Sequence, residues 1–136
     1  MKSVSVGLRL RVIRRAKGLC EYCRLHQVGQ EATFHIDHVI PAAVGGRSDF
    51  DNLALACVSC SLRKSDRQKA DDPKTGVRTS LFDPRRHEWE DHFRWRRFFI
   101  VGRTPIGRAT VEAIRFNRPQ ILAIRSEEAI RGRHLH

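Results

Sequence analysis

The sequence lacks most of what membrane and secreted proteins are built from. No run approaches the roughly 18 consecutive apolar residues that a membrane span needs. Residues 1–18 alternate charges with Val and Leu, without an apolar signal core or a small-residue cleavage site. A chain of this kind is expected in the cytosol, or at a bacterial nucleoid. Repeats, low-complexity runs and a clear coiled-coil seam are also missing, so the oligomeric state is open. Acidic residues are scarce: Asp and Glu number 15 against 26 Lys and Arg, a formal charge of +11 in 136 residues. That imbalance speaks to partners rather than fold. It makes a polyanion the leading ligand, with nucleic acid ahead of a membrane surface. Residues 1–70 carry 12 basic and 6 acidic groups and residues 71–136 carry 14 and 9, so the charge is distributed and not an appended arm.

The length suits one domain's worth of chain and needs no disulfide framework to bury a core. Cysteine is limited to four residues. In a reducing compartment these read as metal ligands rather than as disulfides. Cys20-x2-Cys23 and Cys57-x2-Cys60 are two pairs separated by 33 residues, each able to wrap two thiolates onto one ion. Four thiolates fill a tetrahedral shell and leave no open position for substrate, which predicts a structural Zn²⁺.

Short elements are expected on either side of these pairs. Residues 7–17 have helical spacing with Gly18 as cap, residues 32–36 suit a strand, and Leu53-Ala54-Leu55-Ala56 suits a buried strand. A helix from Ser59 or Ser61 toward Ala70 follows, then a turn-rich break at Asp71-Asp72-Pro73-Lys74-Thr75-Gly76. Beyond it, Pro84 opens a short helix to Phe93, and strands flank an Arg96-Arg97 turn. Helices over 110–116 and 119–131 meet at Asn117-Arg118-Pro119. Helices and strands in short pieces, without βαβ alternation, predict an α+β fold. The division expected is 1–70 and 71–136.

Between the cysteine pairs lie His35-Ile36-Asp37-His38-Val39-Ile40-Pro41, Gly45-Gly46 and Asp51-Asn52-Leu53. A carboxylate can hold a hard cation such as Mg²⁺, and a neighbouring neutral imidazole is suited to deprotonating water near neutrality. Arg residues, 21 of the 26 cations, pair with phosphate oxygens bidentately. Arg47, Arg63 and Lys64 are the first candidates for nucleic-acid contacts, followed by Arg14, Arg15 and the Arg94, Arg96, Arg97 group. Phe93 and Trp95 read as core residues, with base stacking the alternative.

Taken together, Cys20-x2-Cys23, Asp37-His38-x2-Pro41, Gly45-Gly46, Asn52-Leu53, Cys57-x2-Cys60 and Lys64 resemble the HNH endonuclease family over about residues 8–70. The resemblance implies a ββα-metal core of the His-Me finger type, clamped by two zinc knuckles, that hydrolyses DNA phosphodiester bonds. It implies that His38 is the general base, Asp37 a ligand of catalytic Mg²⁺ or Mn²⁺, and Asn52 a residue that steadies the catalytic loop. Lys64 is expected at a phosphate. In the family a His or Asn directly after the last cysteine supplies the second ligand; here Ser61 stands there. Three readings stay open: Ser61 binds the ion directly or through water, His35 lends a ligand, or the chain binds DNA without cutting it.

Overall fold

A computed structural model describes residues 4–133. It shows short helices and three separate two-stranded antiparallel sheets, an α+β arrangement. Among the described residues no helix is long and apolar enough to cross a membrane. The chain divides into two compact units, the first comprising residues 1–68 and 83–87 and the second 69–82 and 88–136. Residues 83–87 thus belong with the first unit.

In the first unit, helix α1 (Val6–Ala16) starts where the Ser5 hydroxyl accepts the Leu8 amide at 3.2 Å. It ends in a left-handed pair, Lys17 at φ 55° and Gly18 at φ 74°. Arg14 and Arg15 in its last turn complement the negative end of the helix dipole. The Arg15 guanidinium lies 3.8 Å over the Phe50 ring and bonds the Phe50 and Leu53 carbonyls, so it serves the fold more than the surface. Strand β1 (His35–His38) pairs antiparallel with β2 (Leu53–Ala56), placing Asp37 opposite Ala54 and His38 opposite Leu53. All four β2 residues are buried, as an unbroken apolar run predicts. Helix α2 (Val58–Lys64) follows at once, capped by the Cys57 sulfur, which accepts the Cys60 amide. It is shorter than expected: Ser65 turns out of helical geometry at φ 50°, ψ −127°, and Ala70 belongs to a strand.

The second unit opens with a hairpin that the sequence reading missed. Strands β3 (Lys69–Asp71) and β4 (Arg78–Ser80) pair across the segment read as a break. The buried Asp72 carboxylate organises that loop by accepting the Lys74 amide, the Thr75 hydroxyl and a two-pronged bond from Arg108. Three-residue strands are too short to display alternation, which is why only the turn signal was visible.

Instead of a helix from Pro84, the chain forms turns and then one helical turn, α3 (Trp89–His92). Strands β5 (Phe93–Arg96) and β6 (Phe99–Gly102) form the next hairpin, with Arg97 and Phe98 at its tip. Helix α4 (Pro105–Ala113), capped by Thr104, begins earlier than expected, and α5 (Pro119–Ile130) begins at the expected proline. Phe93 is 1 % exposed and meets Phe82, Trp89 and Phe116 at ring distances of 5.1–5.3 Å, so it is core. Trp95 is half-buried on the same face, under Arg125.

Candidate functional site

The two C-x2-C pairs converge. Cys20, Cys23, Cys57 and Cys60 are all buried, and their sulfurs lie within 4.8 Å of one another. Cys20 and Cys23 stand on the turn after α1, Cys57 and Cys60 on the first turn of α2. The Cys23 and Cys57 sulfurs are 3.7 Å apart. A tetrahedral Zn²⁺ with bonds of about 2.3 Å requires about 3.8 Å between sulfurs, so the donor set and spacing fit zinc. Burial pushes the Cys20 thiol up, while hydrogen bonds from neighbouring thiols hold Cys57 down. Four thiolates packed this closely would repel one another, and a dication is the natural counter-charge. Backbone amides of Cys23 and Cys60 point at the sulfurs of Cys20 and Cys57, 3.5 and 3.4 Å away.

Strand alternation sorts the segment between them into two faces. His35 and Asp37 share one face of β1, while Ile36 and His38 share the other. Helix α2 meets the first face with residues three apart. The His35 Nδ1 lies 3.0 Å from the Ser61 hydroxyl, and Lys64 Nζ lies 3.2 Å from the Asp37 carboxylate. Asp37 is 7 % and Lys64 2 % exposed. Tyr22 donates its hydroxyl to Asp37 at 2.7 Å, and Lys64 also donates to the His38 carbonyl at 3.0 Å. Burial pushes the Asp37 carboxyl up, against the pull of Lys64, Tyr22 and His38. Burial likewise pushes the Tyr22 phenol well up, so it stays a donor.

The opposite face carries His38, half-exposed, with Nε2 2.9 Å from the Ser48 hydroxyl. Beside it the loop 40–47 is fastened by Asn52, whose side chain accepts the Ile40 amide at 2.9 Å. The same side chain donates to the carbonyls of Ile40 and Arg47 at 3.0 and 2.9 Å. The turn needs glycine: a Cβ on Gly46 would stand 1.7 Å from the Ile40 carbonyl oxygen. Arg47 is exposed and its guanidinium meets Asp49 at 2.9 Å. Arg85 from the returning segment pairs with the half-buried Glu21, which also accepts the Leu55 amide. A depression beside the loop is lined by Gly46, Arg47, Asp49, Asn52, Arg85 and Arg86.

The expected site residues therefore divide. The four cysteines gather, Asn52 fastens the loop, His38 faces outward, Arg47 is exposed, and the half-buried Arg63 donates Nε–H to the Ser59 hydroxyl at 3.2 Å. Lys64, expected at a phosphate, instead points inward and is spent on Asp37 and the His38 carbonyl. Asp37 and Ser61 do not converge on a cation site either. An ammonium 3.2 Å from the Asp37 oxygen stands where a Mg²⁺ would need to approach to about 2.0–2.1 Å. The Ser61 hydroxyl is bonded to His35. As arranged, these groups do not fit a divalent ion. Tyr22 and Ser48 were not singled out from sequence. Tyr22 lies inside the first cysteine pair, whereas Ser48 gives no local signal.

No curated protein and no solved structure matches the chain. The family model described as HNH endonuclease matches residues 20–67. That segment, about a third of the chain, begins at the first cysteine of the two pairs and contains Asp37, His38, Asn52, Ser61 and Lys64; over it the chain is similar to the HNH endonuclease family, with four cysteines placed to bind a metal.

Proposed function

We propose that the chain is a DNA endonuclease whose first unit hydrolyses phosphodiester bonds. On this reading the hairpin β1–β2 followed by α2 is the ββα core, and Zn²⁺ in the four-cysteine site is structural. The observation that supports it best is His38: outward-facing, braced by Ser48, and set beside a loop that Asn52 fastens by three hydrogen bonds. In the tautomer that donates Nε2–H to Ser48, the imidazole lone pair is on Nδ1, which has no protein partner among the described residues. Nδ1 would take a proton from water as the water oxygen attacks phosphorus and the bond to the 3′ oxygen breaks. That departing oxygen is protonated from solvent, leaving 5′-phosphate and 3′-hydroxyl ends. The exposed Arg47 and the partly exposed Arg63 would meet phosphates beside the cut. Zinc would add on the order of 10 kcal/mol to the folding of the first unit.

The pairing of Lys64 with Asp37, together with Ser61, favours a second reading: a zinc-stabilised module that binds DNA without cutting it. Supercoiled plasmid incubated with the zinc-loaded chain, in Mg²⁺, in Mn²⁺ and with neither, separates the two. Nicking that His38→Ala abolishes, at unchanged zinc content and DNA affinity, is the expected result. If His38→Ala nicks at the wild-type rate, the assignment of the base is wrong. A wild type that shifts DNA but never nicks it establishes the binding module. Activity that appears only with Mg²⁺ or Mn²⁺ requires Lys64 to leave Asp37, and Ser61→Asn should then raise it.

A further inference from the structure

The β5–β6 hairpin of the second unit, outside the HNH segment, has two unlike faces. Phe93 and Ile100, each 1 % exposed, and the half-buried Trp95 point into the core. The other face carries Arg94 opposite Val101 and Arg96 opposite Phe99, with Arg97 at the tip. Phe99 is 48 % exposed. Arg94, Arg96 and Arg97 are exposed and form no ion pair or hydrogen bond among the described residues. Several other arginines of this unit are tied down: Arg108 to Asp72, Arg131 to Glu127, Arg133 to Glu128, and Arg125 to the Phe98 and Phe116 carbonyls. The tip also holds Arg97 at φ 52°, a conformation for which glycine is the favoured residue. Folding explains none of these four side chains.

We infer that the outer face of the β5–β6 hairpin is a second nucleic-acid surface, one that takes a single strand with unstacked bases: Arg94, Arg96 and Arg97 on its phosphates, Phe99 against a base. Charge supports a polyanion. Arg94 and Arg96 stand at alternate positions of β5, their backbone positions about 6.7 Å apart, which suits a run of phosphates better than one group. The exposed phenyl ring opposite Arg96 supports an open strand, since bases in an intact duplex have no free face to stack on. A membrane is the poorer fit, because surface insertion needs a broad apolar face and here one ring is exposed. The inference uses the nuclease reading only to choose among polyanions.

The test uses the full chain carrying His38→Ala, so that substrate survives. Fluorescence anisotropy is measured with a mixed-sequence single-stranded DNA oligonucleotide and with the matching duplex. Phosphatidylserine vesicles serve as the third probe. Arg94→Ala with Arg96→Ala should weaken single-strand binding at least tenfold and reduce its salt slope by about 1.4, two phosphates at roughly 0.7 each. Phe99→Ala should weaken the single strand about tenfold and the duplex hardly at all, and Phe99→Tyr should restore binding. Arg131→Ala, an exposed arginine of the same unit, should change neither. Equal losses for Arg131→Ala and the hairpin variants, or single-strand affinity unmoved by them, overturns the inference. So does loss of vesicle binding alone. Plasmid nicking by the wild type is scored apart: a chain that never nicks but loses single-strand binding through these variants ends the nuclease reading and keeps this one.

Discussion

Replacing Lys64 by methionine tests how the HNH segment is held together. The change keeps the aliphatic length of the side chain and deletes the ammonium. It leaves the Asp37 carboxylate, 7 % exposed, with the Tyr22 hydroxyl as its remaining donor, and the His38 carbonyl without its Lys64 bond. Removing one partner of a buried ion pair costs about 3–5 kcal/mol, because the surviving charge stays desolvated. Asp37→Asn in the same background removes that charge while still accepting from Tyr22, so the double variant should recover at least about 2 kcal/mol of coupling. Both tryptophans lie in the second unit, so their fluorescence does not report on this one. Co²⁺ in the four-cysteine site does, through its thiolate charge-transfer absorbance. Urea titrations of the Co²⁺-loaded chain should lose that absorbance about 1.5–2.5 M earlier in Lys64→Met, taking a slope of about 2 kcal/mol per M. If Lys64→Met unfolds within about 0.5 kcal/mol of wild type, or if Asp37→Asn adds to the loss, the buried pair is not what joins β1 to α2.

Three further outcomes are expected. Asn52→Ala removes three hydrogen bonds from the loop 40–47 and should cost about 1–3 kcal/mol in the same titration, with nicking falling further than DNA affinity because His38 loses its neighbouring frame. Metal analysis should find one Zn²⁺ per chain, and Cys57→Ser should abolish it together with the Co²⁺ absorbance of the first unit. Asp72 gives a pH dependence to the second unit. Arg108, with the Lys74 amide and Thr75, holds its carboxyl well below the usual carboxylate range. A depressed carboxyl contributes stability that is complete above its unfolded pKa, near 3.9, and is lost as pH falls toward the folded value. Tryptophan-monitored melting should therefore fall steeply below about pH 4 in wild type and more gently in Asp72→Asn; equal slopes would refute the role of that carboxylate.

The features that were legible before the structure are those whose chemistry sits within a few residues. The cysteine pairs, Gly45-Gly46 and Pro119 each act at short range, so spacing alone exposes them. What escaped depends on partners far along the chain. The hairpin at 69–80 is closed by Arg108, 36 residues from Asp72, and residues 83–87 return to the first unit through Arg85 and Glu21, 64 residues apart. Lys64 is the instructive case. Read along the helix it is one more cation after a cysteine pair, and its surroundings suggest a phosphate. Its direction follows only when strand and helix periods are laid against each other. His35 and Asp37 are about 6.7 Å apart on one face of β1, and Ser61 and Lys64 about 4.5 Å apart on one face of α2. The two steps are close enough for one face to meet the other, imidazole to hydroxyl and carboxylate to ammonium. Ser61 is thus one rung of a strand-to-helix ladder as well as a departure from the family pattern. A longer side chain at position 61 would change the His35 rung and leave the Lys64 rung in place.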